Sequence, residues 1–410
     1  MSLSHRLTRM TGRDPHEQHR AATPLELLFD LTFVVAFSQI SSQAAHFLEV
    51  GDLSTALVGF AFSTFAVAWA WINYSWLASA YDTDDLFFRV ATLVVMVGVL
   101  IVALGVPEVF HSIAEGHVLD NTVLVAGYVV MRVATVALWL RAAIQDEARR
   151  ATCLAYIVNI SVAQVGWVAL IFLHLPVGTT LVFTTLLTLF ELAGPLFAEK
   201  RFGQTPWHAH HIAERYGLLV IITLSEVVLG TILAISAVVQ EQDWSLEAGV
   251  IAFAGTALAF ALWWNYFSLP FGDELARHRG RGFTWGYLHL GVFGSLVAVG
   301  AGLHVAASVI LHDAHVDAVF AALCIAVPVL AFEAFLLGIW SLTARAFDPL
   351  HTWLYLGAVA ALAAGVTVVA LGGTLGLGLV LIAGAPTVVV VGFETTGWRR
   401  GERMPERAAH

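Results

Sequence analysis

The stretch ATPLELLFDLTFVVAFSQIS, residues 22–41, decides the class of fold, because it has the length and apolar composition of a membrane-spanning helix. It nevertheless carries two carboxylates, Glu26 and Asp30, in its first turns. Residues four apart lie on one face of a helix, and a charge in the hydrocarbon layer is costly enough to be rare without a role. The stretch therefore predicts a transmembrane helix with an acidic group at one end.

The rest of the chain repeats this composition. Hydrophobic residues make up 59% of the 410 residues and charged residues only 12%, which is far from the usage of soluble proteins. Alternation typical of a β-barrel is absent, so an all-α, polytopic membrane protein of about 12 transmembrane helices is predicted. The predicted spans are 26–48, 54–80, 86–106, 121–143, 152–174, 178–198, 216–238, 247–268, 283–308, 318–342, 350–371 and 373–392.

Sequence similarities between the two halves of the chain indicate a duplication. ELLFDLTFVVAFSQ in the first helix corresponds to ERYGLLVIITLSE in the seventh, and WINY to WWNY in the second and eighth. MRVATVALW in the fourth helix corresponds to FEAFLLGIW in the tenth. Because six is an even number, the copies would be two parallel six-helix pseudo-repeats with a site between them. The predicted organisation is a segment 1–22, repeats 23–200 and 201–398, and a tail 399–410.

The distribution of arginine and lysine predicts the orientation. With the N-terminus inside, all Lys and Arg in loops fall on the inner side, and the outer loops carry acids and histidines. By the positive-inside rule, the expected location is the bacterial plasma (inner) membrane, multi-pass, with both termini cytoplasmic.

Polar residues in the middle of the predicted helices are the candidates for substrate or ion coupling. Arg132 corresponds to Glu333 in the duplication, so we expect the two to pair, as a structural ion pair or as a functional clamp. Glu226 is a mid-depth acid whose burial disfavours its charged form, which suits a proton carrier or cation ligand, or else a neutral core acid. The candidates are Glu226, Arg132, Glu333, Glu191, Gln39, Asn73 and Asn265.

A second group of candidates lies at the inner ends of the helices. In YDTDDLFFR, Asp85 precedes Arg89 by four residues, which favours a helix cap and an ion pair. The alternative is an inner gate whose acids meet the basic loop of residues 277–281. For the acids of the first helix, Arg89 and Arg215 are available counter-charges, so this group predicts an ionic lock or gate. Its members are Glu26, Asp30, Asp82, Asp84, Asp85, Arg89, His211, Glu214 and Arg215.

Three of these motifs, TPLELLFDLTFVVAFSQISS, YDTDDLFFR and HIAERYGLLVIITLSE, resemble the bacterial low temperature requirement protein A family. The resemblance extends over nearly the whole chain, with Ser225 where the family pattern has Gly. It implies an integral membrane protein linked to growth in the cold, with no settled biochemical activity. It also implies that Glu226 and the candidates at the inner helix ends, from Glu26 to Arg215, lie at positions of the family motifs.

The leading functional hypothesis is a proton- or cation-coupled secondary transporter or ion-conducting permease with Glu226 as the coupling acid. A membrane sensor or assembly factor that responds to lipid state is the alternative, and an intramembrane enzyme acting on lipid is a third. No nucleotide-binding or hydrolase motif is present in a usable context. We therefore expect no enzyme activity, cofactor, metal or nucleic acid. The expected partners are the lipid bilayer, a proton or small cation and an unidentified small solute, and the oligomeric state is left open.

Overall fold

The computed structural model describes residues 7–15, 17, 20–344 and 349–397. Within these ranges the chain is helical, without extended strands, and twelve helices are long and apolar enough to span a membrane. The predicted fold class is thus confirmed. The predicted tail 399–410 lies outside the described residues.

The helices are joined by short connections. A short helix, Phe271–Arg277, separates two of the long ones, and a π-helical turn, Phe393–Gly397, follows the last. The helices are α1 Pro24–Glu49, α2 Leu53–Tyr81, α3 Leu86–Glu115, α4 Thr122–Gln145, α5 Arg150–Leu173, α6 Val177–Phe202, α7 Ala209–Gln242, α8 Leu246–Phe267, α9 Phe271–Arg277, α10 Gly282–Ile310, α11 Ala318–Ala344, α12 Pro349–Ala370 and α13 Leu375–Gly392.

The start of α7 differs from the prediction. The hydropathy pattern places this helix from residue 216, whereas the structure starts it at Ala209. The two added turns carry His211, Glu214 and Arg215, whose charges and polarity hide the helix from a hydropathy window. His211 and Arg215 are both buried, so these turns form part of the protein interior.

The chain divides into two compact units. Unit 1 comprises residues 1–43, 54–218 and 275–279, and unit 2 comprises residues 44–53, 219–274 and 280–410. Unit 1 has an aromatic interior in which Trp69, Trp71, Tyr74 and Tyr81 of α2 are all buried. In unit 2 small residues allow close helix packing, since a Cβ added to Gly302 of α10 would lie 2.3 Å from the backbone oxygen of Cys324. The predicted six-plus-six repeat stays a prediction.

The polar segment before α1 lies against the helix ends of unit 1. The backbone N–H of Met10 donates to Oε1 of Gln145 at 2.6 Å, and that of Gly12 donates to Oδ2 of Asp146 at 3.2 Å. Arg20 donates to the backbone oxygens of Ala78, at 2.8 Å, and of Ser79. These bonds hold the segment against the ends of α2 and α4.

Candidate functional site

Glu26 lies in the first turn of α1, fully buried. Thr23 and Glu26 form a reciprocal cap: the N–H of Thr23 donates to Oε2 of Glu26 at 2.9 Å, and the N–H of Glu26 donates to the Thr23 hydroxyl at 3.2 Å. Pro24 supplies the first helical residue, where a missing N–H costs nothing. The sequence T-P-L-E therefore both starts α1 and fixes its first carboxylate.

Arg215 of α7 bridges both acids of α1. Its Nη1 lies 2.7 Å from Oε1 of Glu26, and its Nη2 lies 2.6 Å from Oδ1 of Asp30. The guanidinium carbon also lies 5.6 Å from the ring centroid of Trp71, a favourable position for a cation over an aromatic face. Arg215 is fully buried, and its charge is compensated by contact with the two carboxylates.

Three helices supply this cluster, and each supplies two residues four positions apart. On α2, the indole N–H of Trp71 donates to Oδ1 of Asp30 at 2.7 Å, and the Ser75 hydroxyl accepts from Arg215 at 3.4 Å. On α7, Nε2 of His211 lies 3.2 Å from Oε2 of Glu26. Residues four apart share one helix face, so the three pairs converge. We call Glu26, Asp30, His211 and Arg215 the buried charge cluster.

The buried charge cluster has an unbalanced formal charge. Two carboxylates and one guanidinium sum to −1 when His211 is neutral, and to zero when one proton is added. Among the described residues, Oδ2 of Asp30 and Nδ1 of His211 have no hydrogen-bond partner. The next charges that act on Glu26 are those of Arg20 and Asp82, which have opposite signs and cancel in the formal count. Because an uncompensated buried charge is costly, the arrangement favours one bound proton, with two sites available to carry it.

Arg132 is paired within unit 1, which replaces the predicted pair with Glu333. Its Nη2 lies 2.6 Å from Oε2 of Glu191 on α6 and 2.7 Å from the hydroxyl of Tyr128. The Glu191 carboxylate also accepts the indole N–H groups of Trp69, at 2.6 Å, and Trp167, at 2.7 Å. This carboxylate is charge-compensated and bonded at both oxygens, as a rigid structural network requires.

Glu333 and Glu226 both lie in unit 2. Asn265 of α8 donates from Nδ2 to both oxygens of Glu333, at 2.8 and 2.7 Å. Glu226 of α7 is fully buried, and a Cβ added to Gly300 of α10 would lie 2.6 Å from its Cβ. The missing side chain at Gly300 therefore allows α10 to approach the helix turn that carries Glu226.

The acidic connection between α2 and α3 contains the predicted cap but a different set of ion pairs. Asp85 accepts the N–H of Phe88 at 3.0 Å and so caps α3. Its carboxylate pairs with Arg141, whereas Arg89 pairs with Asp84 at 2.9 Å. The predicted Asp85–Arg89 pair is therefore wrong, because the left-handed backbone of Asp84 (φ 47°) positions that residue for Arg89 instead.

Two acids of this connection have shifted pKa values. Burial, together with repulsion from Glu26, raises the pKa of Asp82 to about 6. Burial would also raise the pKa of Asp85, but the hydrogen bonds from Arg141 and from two backbone N–H groups hold it well below its usual range.

The remaining predicted residues lie outside these clusters. Gln39 is exposed on α1, and Asn73 donates to the backbone oxygen of Trp69 at 2.8 Å. Glu214 is exposed on α7 and accepts the N–H of Ala22 at 3.1 Å. In the basic segment, Arg279 donates to the backbone oxygen of Trp207 at 2.8 Å. No group of three or more His, Cys, Asp or Glu residues suited to a metal occurs in the part of the chain that the structure describes.

The sequence reasoning missed the neutral partners of the charged groups. Trp71 and Ser75 beside the buried charge cluster, and Trp69 and Trp167 around Glu191, are residues that a membrane helix also uses for simple packing. One signal for the position of Glu26 was present in the sequence, since the T-x-x-E pattern at residues 23–26 is that of a capping box at the start of a helix.

Within the described ranges, twelve apolar helices and an ion-pair cluster enclosed among three of them define a polytopic membrane protein. The family model of the bacterial low temperature requirement A protein (LtrA) matches residues 21–389, and the chain belongs to this family. It is also 26% identical over 278 residues to an uncharacterised protein of Rhizobium meliloti (strain 1021). That match covers 65% of this chain and 63% of the relative, so the chain spans less than two thirds of the relative's length. No solved structure matches the chain.

Proposed function

We propose that the protein is a proton-coupled secondary transporter of a small solute in the bacterial inner membrane, with the buried charge cluster as the proton site. The formal charge of −1 on four enclosed residues is the observation that carries the proposal. A buried group of this kind is neutral only with one added proton, so its occupancy responds to pH on either side of the membrane.

The coupling role moves from Glu226 to the buried charge cluster for a reason of geometry. Asp30 and His211 each keep one polar atom without a hydrogen bond among the described residues, and both are linked through Arg215 and Glu26. A proton on Asp30 weakens one arm of the Arg215 bridge, whereas a proton on His211 adds a second charged contact from α7 to Glu26. Since the bridge joins α1 to α7, proton binding is mechanically linked to the contact of these helices, as alternating access requires.

Proteoliposomes with an enclosed pH indicator test the proposal. A panel of sugars, amino acids, amines and carboxylic acids is added outside, and a coupled solute should move protons across the membrane. Asp30→Asn should abolish this movement, because the cluster is then neutral without an added proton, and His211→Asn should shift its pH dependence, because it removes the second proton site. Glu214→Gln is the matched control on α7, since Glu214 is exposed. If wild type and Asp30→Asn both take up the solute and neither moves protons, coupling is refuted.

A lipid-responsive membrane sensor is the second candidate function. A groove of about 740 Å³ lies between α5 and α6 and is lined mainly by apolar side chains, among them Leu154, Val158, Phe190 and Phe197. Such a surface suits contact with acyl chains, whose packing changes with temperature. Under this alternative, Val158→Trp should alter the response of the protein to acyl-chain length while Asp30→Asn should not.

A further inference from the structure

A cavity of about 50 Å³ lies in unit 2, at the end of the helices where α8 and α11 finish and α12 begins. A buried water needs only about 10–15 Å³ on this scale, so the cavity has room for a molecule of several heavy atoms. Its walls include Glu333, Asn265, Trp340, Tyr355 and Phe393.

Glu333 is the chemical centre of this cavity. It is 4% exposed, and among the described residues no Lys, Arg or His nitrogen pairs with it. Buried acids of unit 1 differ, since Glu26, Asp30 and Glu191 each have an arginine nitrogen within 2.7 Å. Asn265 donates one amide nitrogen to both oxygens of Glu333, which orients the carboxylate without neutralising it. A cation from outside the protein would supply the missing charge.

The walls of the cavity favour an organic cation over a metal ion. Ca²⁺ and Mg²⁺ take six or more oxygen ligands, whereas most of the lining here is carbon. Trp340, Tyr355 and Phe393 line the same cavity as Glu333. The faces of such rings attract an ammonium group that lies within about 6 Å of the ring centre.

The indole of Trp340 adds a second recognition element. Its Nε1–H is buried and has no hydrogen-bond partner among the described residues. An indole N–H can only donate, so a ligand with an oxygen acceptor would satisfy it. We propose that the cavity binds a small organic ammonium ion that also carries a hydroxyl or carbonyl oxygen, with Glu333 as counter-ion and Trp340 as donor. This inference concerns binding alone and stands whether or not the protein transports.

Two sources present this chemistry: free ethanolamine and the head group of phosphatidylethanolamine. The purified full chain in phosphatidylcholine nanodiscs is therefore titrated with ethanolamine, with heat of binding as the readout. Ethylene glycol is the neutral probe of matched size. In a second arm, nanodiscs of phosphatidylethanolamine are compared with phosphatidylcholine by the melting temperature of the protein.

We expect saturable ethanolamine binding, no binding of ethylene glycol, and at least a tenfold loss of affinity in Glu333→Gln, as for a lost charge-assisted bond. Glu394→Gln, an exposed acid of unit 2 outside the cavity, should bind as wild type. If only the lipid arm shows a stabilisation that Glu333→Gln removes, the ligand is the lipid head group.

The absence of a Glu333-dependent response in both arms, or equal binding of ethylene glycol, would overturn the proposal. Should Glu333→Gln fail to fold, Trp340→Phe decides, since it keeps the ring and removes only the N–H. We expect this variant to bind ethanolamine several-fold more weakly, and unchanged binding would likewise overturn the proposal.

Discussion

Arg215 is the residue on which the buried charge cluster depends. Its two terminal nitrogens contact different carboxylates, a geometry that the planar guanidinium provides and that the single ammonium of lysine does not. The same residue ties α1 to α7 and contacts both acids. Any replacement therefore leaves at least one buried carboxylate without its guanidinium partner.

Arg215→Lys should accordingly lower the stability of the protein by about 2–4 kcal/mol, since a single ammonium does not reach both carboxylates and leaves one of them buried without a partner. Arg89→Lys is the control, because Arg89 and Asp84 form an exposed pair whose loss costs at most about 1 kcal/mol. Denaturation in detergent, followed by tryptophan fluorescence, measures both. Equal stability of the two variants would show that Arg215 does not carry the cluster.

Asp82 gives the protein a dependence of stability on pH. Its pKa is raised to about 6 in the folded chain from about 3.9 in an unfolded one, so between these values the folded state holds more protons. The contribution of Asp82 to the free energy of unfolding is therefore fully present below about pH 4 and is lost as the pH rises through 6.

Asp82→Asn should remove that loss, because the amide oxygen can still accept the N–H of Asp84 and carries no charge. We expect the variant to melt higher than wild type at pH 7.5 and at the same temperature at pH 4. Asp84→Asn, at an exposed position, should leave the pH profile unchanged. A wild-type profile in Asp82→Asn would assign the pH dependence to another group.

The pairing of α4 with α6 illustrates what the sequence could predict about the elements. Hydropathy identified both helices and their buried polar residues, Arg132 and Glu191. It could not say which helix faces which, and the duplication suggested Glu333 as the partner. The true contact depends on packing of Trp69, Tyr128 and Trp167 around Glu191, which no periodicity in a single helix encodes.

The Arg132–Glu191 network should behave as one energetic unit. Arg132→Met and Glu191→Gln should each destabilise by about 3–5 kcal/mol, because the remaining partner is buried without compensation. The double variant should lose clearly less than the sum of the two single losses. Additive losses in this double-mutant cycle would mean that the two side chains do not interact.

At the scale of the whole molecule, twelve spans and the fold class followed from the sequence because spanning helices must be about 20 residues long and apolar. The buried start of α7 did not follow, since its polar turns resemble a loop until the acids of α1 are placed beside them. The charges were recognisable from the sequence, but their partners required the three-dimensional structure.

The orientation of the chain is open to a direct test. The loops that carry arginine should stay inside, so reporter fusions after residues 148 and 280 should report the cytoplasm, and fusions after residues 117 and 314 the outside. A reversed pattern would contradict the positive-inside interpretation without affecting the buried charge cluster.

The central claim is that the buried charge cluster takes up and releases one proton. Infrared difference spectroscopy of the protein in nanodiscs measures this proton exchange most directly. Spectra are compared between pH 5 and 9, a range of about two units on either side of neutral pH. We predict a reversible signal from a carboxylic acid or a histidine ring that disappears in Asp30→Asn or His211→Asn and persists in Glu214→Gln. A spectrum in which neither Asp30 nor His211 changes protonation over this range would contradict the account.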